Sequence, residues 1–451
     1  MGTTIAAIST PQGQGGIGTV RISGDGARAV ADKVFKSVSG KLIADAKGYT
    51  AMFGTVYSEG EPLDEAVALI FAAPKSYTGE DVVELSVHGG LTVTRLLLRA
   101  ILDAGAIPAE AGEFTKRAFL NGKLDLAEAE SVMTLISAGG KQDLRLSLAA
   151  KRGRVSREIN KIKEKLLAVD ASMAVFADYP DEDLPELDEN LIRGNLYSVR
   201  DSLSELLETY DKGKILREGL STAIIGTPNV GKSTLMNLLS GDMRSIVTEI
   251  AGTTRDIIEE TVRAGDITLR LADTAGVHTA TDKVEEIGIE RAKERAKSAE
   301  LILAVFDGGR PLSDDDREIL LLCEDAPAIA VINKADTPQK IDLNEIKLPF
   351  VLVSAKNGEG EKELIEKIAE VAGTASLSAD RAVLQSERQR SCAHRAYMGV
   401  CEAIDTMDGG FTLDAVGICA DEALAALLEL TGERVTEAVA NEVFSRFCVG
   451  K

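Results

Sequence analysis

Cysteine is scarce and unpatterned: five residues, at 323, 392, 401, 419 and 448, form an odd set with no C-x-x-C pair. Neither a disulfide framework nor a zinc site is expected, and the thiols read as reduced, which suits a cytoplasmic protein. Long apolar runs are missing too. Spanning a bilayer takes roughly 18 or more apolar residues, and the Leu96–Leu98 run meets Arg99 at once, so no membrane association is expected. The opening segment lacks a basic start followed by an apolar core, and it carries Asp25 and Asp32. It matches neither a secretory signal nor an acid-poor organellar presequence. Tryptophan does not occur, and no repeat of fixed period is evident, which sets aside solenoids and propellers. Basic residues are the minority, with Lys plus Arg 51 against Asp plus Glu 72, a net charge of −21. That balance favours solubility and opposes nonspecific binding to phosphate backbones. A local patch can still act against the overall sign, and residues 141–165 are locally basic: a candidate nucleic-acid contact, with a solvated helix face as the preferred reading.

What is present is ordinary for a folded chain: 45% apolar and 27% charged residues. At roughly 100–200 residues per domain, 451 residues suggest two to four domains. Residues 1–120 mix short β-type runs (Thr3–Ile8, Gly18–Ile22, Ala66–Phe71, Val82–Val87) with a helical pattern at Leu91–Ala104, which predicts a compact α+β domain. In residues 121–214, Val155, Ile159, Ile162, Leu166 and Val169 recur at helical spacing, as do Leu196, Val199, Leu203, Leu206 and Tyr210. An acidic, proline-broken connection, Asp178 to Pro185, separates the two patterns. In residues 215–373, apolar runs at Thr222–Ile225, Thr268–Ala272, Leu301–Phe306, Ala328–Ile332 and Phe350–Val353 alternate with helical stretches, predicting a mostly parallel sheet. Residues 374–451 return to helices, including Glu422–Leu430 and Thr436–Phe447. The expected fold is multidomain: an α+β N-terminal domain, an all-α helical domain in two parts, and an α/β P-loop GTPase domain inserted between those parts.

The insertion carries the chemistry. Gly226-Thr227-Pro228-Asn229-Val230-Gly231-Lys232-Ser233 fits G-x-x-x-x-G-K-[ST] between an apolar strand and the helical run Thr234–Leu239. Glycines let the backbone curl around phosphates and aim its N–H groups at them, and the helix N-terminus favours negative charge. Asn229, Val230, Gly231, Lys232, Ser233 and Thr234 are thus candidate GTP contacts, with Lys232 on the β- and γ-phosphates and Ser233 on Mg²⁺. Asp273-Thr274-Ala275-Gly276 follows a strand, placing Asp273 to hold Mg²⁺ through water and the Gly276 N–H to sense the γ-phosphate. In Asn333-Lys334-Ala335-Asp336, the aspartate can accept from guanine N1 and N2, a donor pair adenine lacks. Ser354-Ala355-Lys356 would close over the base. Four motifs in this order, each at a strand's C-terminal end, imply a GTPase domain. Between the first two lies Thr248 to Asp256, a segment expected to order only when a threonine there meets Mg²⁺. Val277 stands where Ras-type enzymes place a water-positioning glutamine, so another group must orient water; Asp282, Glu285 and Glu286 are the nearby carboxylates.

The domain order, Gly252-Thr253-Thr254-Arg255-Asp256 and the terminal Phe447-Cys448-Val449-Gly450-Lys451 resemble the MnmE (TrmE) family of tRNA modification GTPases across essentially the whole chain. Further matches are Gly15-Gly16 with Val20-Arg21-Ile22-Ser23, Thr78-Gly79-Glu80-Asp81 with Glu84, His88-Gly89-Gly90, and Gly112-Glu113-Phe114 leading to Arg117 through Asp125. The resemblance implies a homodimer that works with an FAD-dependent partner, MnmG (GidA), on wobble uridine of certain tRNAs. The product carries an aminomethyl or carboxymethylaminomethyl group at C5, and a tetrahydrofolate derivative supplies the one-carbon unit. It places Arg21, Glu84, Lys123 and Lys451 against folate, and K⁺ on Asn229, Thr248, Ile250 and Thr253. It makes Thr254 a Mg²⁺ ligand alongside Ser233, and Glu285 the water-orienting catalytic group. His278 departs from the arginine that members often carry there. For Cys448 two readings stand: a thiolate favoured by Arg446 and Lys451, acting in catalysis, or a small apolar residue packing the last helix. His88 and His394 read as structural. An Era-like GTPase switch in ribosome assembly is the alternative function, and it calls for an appended RNA-binding module that the sequence does not display. With so acidic a chain, the partner protein is expected to supply much of the tRNA phosphate contact.

Overall fold

The computed structural model describes residues 2–178, 189–240, 260–271, 296, 299–324 and 326–451. They fall into two compact units: Met1–Met133, Ile159–Leu187 and Asp405–Lys451 in one, Thr134–Glu158 and Asp188–Ile404 in the other. Both expected helical segments contribute to both units.

The first unit is built on a seven-stranded sheet. Its strands are β1 (Ile5–Ile8), β2 (Ile17–Ser23), β3 (Phe35–Ser37), β4 (Thr50–Ser58), β5 (Glu61–Phe71), β6 (Val82–His88) and β7 (Ile107–Pro108), in the order β3-β4-β5-β6-β2-β1-β7. Successive side chains of a strand point to opposite faces. Val20 and Ile22 of β2, with Val83 and Leu85 of β6, turn to a core closed by helices α1 (Ala27–Val34) and α2 (Leu91–Asp103). Arg21 and Glu84 alternate with them, and the β2–β6 register sets these two residues directly opposite each other. A second small core, Ile5, Ala7, Ala109 and Phe114 with Tyr77, lies on the other side. Phe114 belongs to α3 (Glu113–Leu120).

Helix α4 (Leu126–Ser137) buries Leu126, Ala129 and Val132 against Ala440, Phe444 and Phe447. The predicted stripe from Val155 to Val169 is wholly buried along helix α6 (Arg154–Asp178). The predicted C-terminal helices are α12 (Leu413–Thr431), which starts nine residues earlier than the Glu422 expected, and α13 (Glu437–Ser445). The last helix ends before Phe447, and the terminal residues form an irregular tail. Thr436 caps α13 by accepting from the Val439 N–H.

The second unit holds the expected α/β arrangement. Strands β8 (Leu220–Ile225), β9 (Glu260–Ala264), β10 (Ile267–Leu271), β11 (Leu301–Asp307), β12 (Ala328–Asn333) and β13 (Phe350–Val353) take the order β13-β12-β11-β8-β10-β9. All pairs are parallel except the β9–β10 hairpin at the edge. Leu301, Leu303 and Val305 face one core while Ile302, Ala304 and Phe306 face the other, so β11 is covered on both sides. That explains its unbroken apolar sequence. Around the sheet stand helices α5 (Lys141–Lys151), α7 (Glu189–Glu218), α8 (Lys232–Ser240), α9 (Asp314–Leu322) and α10 (Glu361–Val371), and α11 (Glu387–Asp408) follows in sequence. The predicted face Leu196, Val199, Leu203, Leu206 and Tyr210 is buried along α7. Strand β8 lies between β10 and β11, so the loop leaving its C-terminal end opens into the crevice where open α/β sheets bind ligands.

Candidate functional site

The loop Gly226–Gly231 joins β8 to α8, as the motif predicts. Val230 is buried, which anchors the loop, whereas Asn229, Ser233 and Thr234 are exposed at its rim. Asn229 has φ 63, a left-handed conformation that asparagine tolerates. Lys232 folds back over the loop, its Nζ donating to the carbonyls of Gly226 (2.8 Å) and Thr227 (3.0 Å). Gly231 has φ 97, and a Cβ there would stand 2.2 Å from Asn333 Nδ2. Only glycine meets both conditions.

Asn333 ends β12 and joins three of the predicted motifs. Its Nδ2 donates to the Val230 carbonyl (2.8 Å), and its Oδ1 accepts from the Ala355 N–H (3.0 Å). The Gly226–Gly231 loop, the Asn333–Asp336 segment and the loop after β13 are thereby fixed to one buried side chain. Lys334, at φ 63, donates through Nζ to Asp307 Oδ2 at 2.6 Å. Burial pushes the Asp307 carboxyl up, but the bonds from Lys334 and the Gly309 N–H outweigh it and hold the group below its ordinary range. Asp336 is exposed, and its Oδ1 accepts from the buried Ser354 hydroxyl at 2.7 Å. That bond keeps the Asp336 carboxyl below its ordinary value. An ionised carboxylate open to solvent, with its orientation fixed from below, is what pairing with two guanine donors requires.

The remaining nucleotide candidates, Thr248, Ile250, Thr253, Thr254, Asp273, Gly276 and Glu285, lie outside the described residues, as do Val277, His278, Asp282 and Glu286.

In the first unit, Arg21 Nε donates to Glu84 Oε1 at 2.8 Å, the cross-strand pair that the β2–β6 register dictates. The Arg21 guanidinium also lies 5.5 Å from the Phe114 ring centre and 5.6 Å from that of Tyr77. Its Nη1 reaches the Gly450 carbonyl at 3.4 Å, across 429 positions of sequence. The C-terminal tail is fixed here by Val449 bridging to Ala111 and by the Lys451 carbonyl accepting from the Phe114 N–H at 3.0 Å. Gly450 has φ 92, and a Cβ on it would lie 2.3 Å from the Ile8 carbonyl oxygen. Of the four predicted folate residues, Arg21 and Glu84 therefore meet directly, and Lys451 is held beside them through the Gly450 and Phe114 contacts. Lys123 is placed by the Thr78–Gly79 turn, its Nζ donating to the Pro74 carbonyl at 3.1 Å. Cys448 is exposed, not packed.

Sequence reasoning missed the ion-pair network beside this cluster. Arg117 Nη1 reaches Glu80 Oε2 (3.1 Å) and the Thr3 carbonyl (2.7 Å), and its Nη2 reaches Glu113 Oε1 (2.8 Å). The Ser23 hydroxyl completes it by donating to Glu80 at 2.7 Å. Only the Glu113–Arg117 pair, four residues apart on one helix, has a spacing visible in sequence.

Among the described residues, no helix is long and apolar enough to cross a membrane. Comparison with known proteins gives two family matches: the MnmE helical domain over residues 126–448, and the GTP-binding protein TrmE N-terminus over residues 4–123. The chain is 40% identical over 465 residues to the tRNA modification GTPase MnmE of Heliobacterium modesticaldum, covering all of both chains. It is 42% identical over 452 residues to the protein of the same description from Lactococcus lactis subsp. cremoris, covering 99% of this chain and 98% of that one. Among solved structures, the G domain of the T. maritima FeoB iron transporter matches 34% of this chain and 98% of its own at 27% identity, with a TM-score of 0.26.

Proposed function

The chain belongs to the MnmE (TrmE) family of tRNA modification GTPases, and from that premise we propose that its GTP hydrolysis drives modification of tRNA wobble uridine. The reaction adds an aminomethyl or carboxymethylaminomethyl group at C5, in concert with an FAD-dependent MnmG partner and with a tetrahydrofolate derivative as one-carbon donor. The observation that best supports this reading is the meeting of Arg21, Glu84 and the Gly450–Lys451 backbone, because a GTPase alone has no use for it. There a carboxylate can pair with a pterin ring and a guanidinium with a glutamate tail. The domains are proposed as residues 1–120 for folate binding and dimerisation, 121–214 with 374–451 for the helical part, and 215–373 for the GTPase.

Within the GTPase domain we assign each candidate residue a task, those outside the described residues by the family resemblance. Asp336 selects guanine; leaving its carboxylate unpaired against adenine is costly. Lys232 exchanges its two carbonyl partners for phosphate oxygens. Ser233 and Asn229 offer exposed oxygen donors, which suit hard cations, and we assign Ser233 with Thr254 to Mg²⁺ and Asn229 with Thr248, Ile250 and Thr253 to K⁺. Such cations neutralise charge that develops on the phosphates. Glu285 orients the attacking water in the place of the glutamine that Val277 replaces. Exposed Cys448 is available for chemistry at the folate cluster, and two copies of the chain form the working enzyme.

Mass spectrometry of wobble nucleosides tests the proposal, in a strain lacking this chain and complemented with the parent or with Arg21→Ala. The modified nucleoside should return with the parent and not with Arg21→Ala, while the variant's GTP turnover persists. Unchanged wobble nucleosides in the deletion strain, with defective ribosomal subunits, would favour the ribosome-assembly alternative.

A further inference from the structure

Thr227 has no task in the phosphate cradle as the motif describes it, yet its hydroxyl is the centre of a closed network. It donates to Asp316 Oδ1 at 3.0 Å and accepts from Arg310 Nη2 at 2.9 Å. Arg310 Nη1 pairs with the other Asp316 oxygen, Oδ2, at 2.7 Å. That oxygen also accepts from the Ser313 N–H (2.9 Å) and the Ser313 hydroxyl (2.8 Å). Asp316 is almost wholly buried, at 1% exposure. Burial alone would push its carboxyl up, but the bonds from Arg310, Ser313 and Thr227 outweigh burial and keep it ionised.

Part of this is a helix cap: Ser313 and Asp316 form a reciprocal capping box at the start of α9. The cap uses Oδ2 and leaves Oδ1 and the second arm of Arg310 to serve Thr227. That choice matters because the carbonyl of Thr227 accepts a hydrogen bond from Lys232 Nζ. Whatever fixes residue 227 also fixes the resting place of the lysine that meets the phosphates.

We propose that Arg310 and Asp316 are positioning residues for GTP binding, acting through the Thr227 hydroxyl to hold the P-loop in its phosphate-receiving shape before nucleotide arrives. A loop already in its bound conformation has less entropy to lose on binding. The inference rests on the reading of residues 226–233 as the GTP site.

The test uses the full chain, a fluorescent N-methylanthraniloyl GDP for affinity, and steady-state GTP turnover. Thr227→Val keeps the shape and removes both hydrogen bonds; its Kd and KM should rise about tenfold, as loss of bonds to charged partners predicts, with kcat at saturating GTP nearly kept. Thr227→Ser should restore affinity. Asp316→Asn should weaken binding similarly, and the double variant should be no weaker than the worse single one, since both act through one contact. Should Asp316→Asn fail to fold because α9 loses its cap, the two Thr227 variants decide alone. Unchanged Kd in Thr227→Val, a loss of kcat without a rise in KM, or no rescue by serine would overturn the proposal. Lys232→Ala separates the two readings. Normal binding by that variant overturns the site itself, whereas its loss beside an unaffected Thr227→Val overturns only the positioning role.

Discussion

Replacing Gly231 with alanine tests the construction of the nucleotide site at its tightest point. The new methyl carbon would have to occupy a place 2.2 Å from Asn333 Nδ2, on a backbone held at φ 97. The left-handed conformation costs an L-residue about 1–2 kcal/mol. Asn333 must also withdraw, and its two bonds go with it: Nδ2 to the Val230 carbonyl at 2.8 Å and Oδ1 from the Ala355 N–H at 3.0 Å. Each buried backbone group left unpaired costs about 1–3 kcal/mol. Even the lower ends of these ranges combine to about 3 kcal/mol, equivalent to a loss of roughly 150-fold in affinity. Much of that loss should fall on nucleotide binding, because a nucleotide-free loop can relax away from Asn333 whereas a loaded one must hold its shape. Titration with fluorescent GDP reads the effect directly. Asn333→Ala supplies a cross-check, since it removes the atom that the methyl group meets. The Gly231→Ala, Asn333→Ala double variant should be less impaired than the product of the singles. If Gly231→Ala binds GDP within about threefold of the parent, a difference under 1 kcal/mol, the close approach of Gly231 to Asn333 does not govern binding.

Two other outcomes are expected. Asp336→Asn exchanges an acceptor-only carboxylate for an amide that both donates and accepts, so GTP affinity should fall and xanthosine triphosphate, with oxygen in place of the 2-amino group, should gain. Competition between the two nucleotides checks this, and an undiminished preference for GTP would count against the assignment of Asp336. The Asp170 carboxyl is pushed up from 3.8 to about 6 by burial and by the neighbouring Asp421. A group whose folded pKa is raised contributes stability that is complete below its unfolded value and lost as pH rises through its folded one. Asp170→Asn cannot ionise, so it should raise the melting temperature at about pH 7.5 and change it little near pH 4. Parallel melting curves across that span would show that the Asp170–Asp421 pair carries no such penalty.

What could be read from the sequence follows a physical division. The P-loop, the Asn333–Asp336 segment and Ser354–Ala355 stand out in the sequence because phosphate and base recognition, the roles proposed for them, would impose fixed residue types at fixed short spacing. The β11 and β12 runs are legible because strands covered on both faces must be apolar throughout. The helix stripes on α6 and α7 show through their 3.6-residue period. Strand β4 is absent from the sequence pattern because Gly54 breaks its apolar alternation, yet a Cβ there would lie 2.2 Å from the Lys36 carbonyl oxygen on β3. A glycine forced by close backbone approach looks, in sequence, like one that makes a turn. Helix α1, eight residues beginning after Gly24-Asp25-Gly26, is too short for its period to stand out.

The same division separates the residues proposed to touch ligands from those that hold them in place. Arg21 and Glu84 enter through a family resemblance, and the β2–β6 register explains why they meet, since a one-residue slip of either strand would send its side chain to the face opposite its partner's. Gly450 enters only as part of the terminal motif, and its close neighbour, the Ile8 carbonyl, stands at the far end of the chain where no spacing rule reaches it. Arg117 with Glu80, and Thr227 with Asp316, are in the same position; the second pair is 89 residues apart. Motifs record the local constraints that a ligand imposes on backbone and side chain together. The supporting residues answer to a different constraint, which is only that some donor reach some acceptor, and many residue types at many positions can satisfy it. Asp307 illustrates the consequence: nothing about its place at the end of β11 marks it in sequence, yet the orientation of Lys334 depends on it.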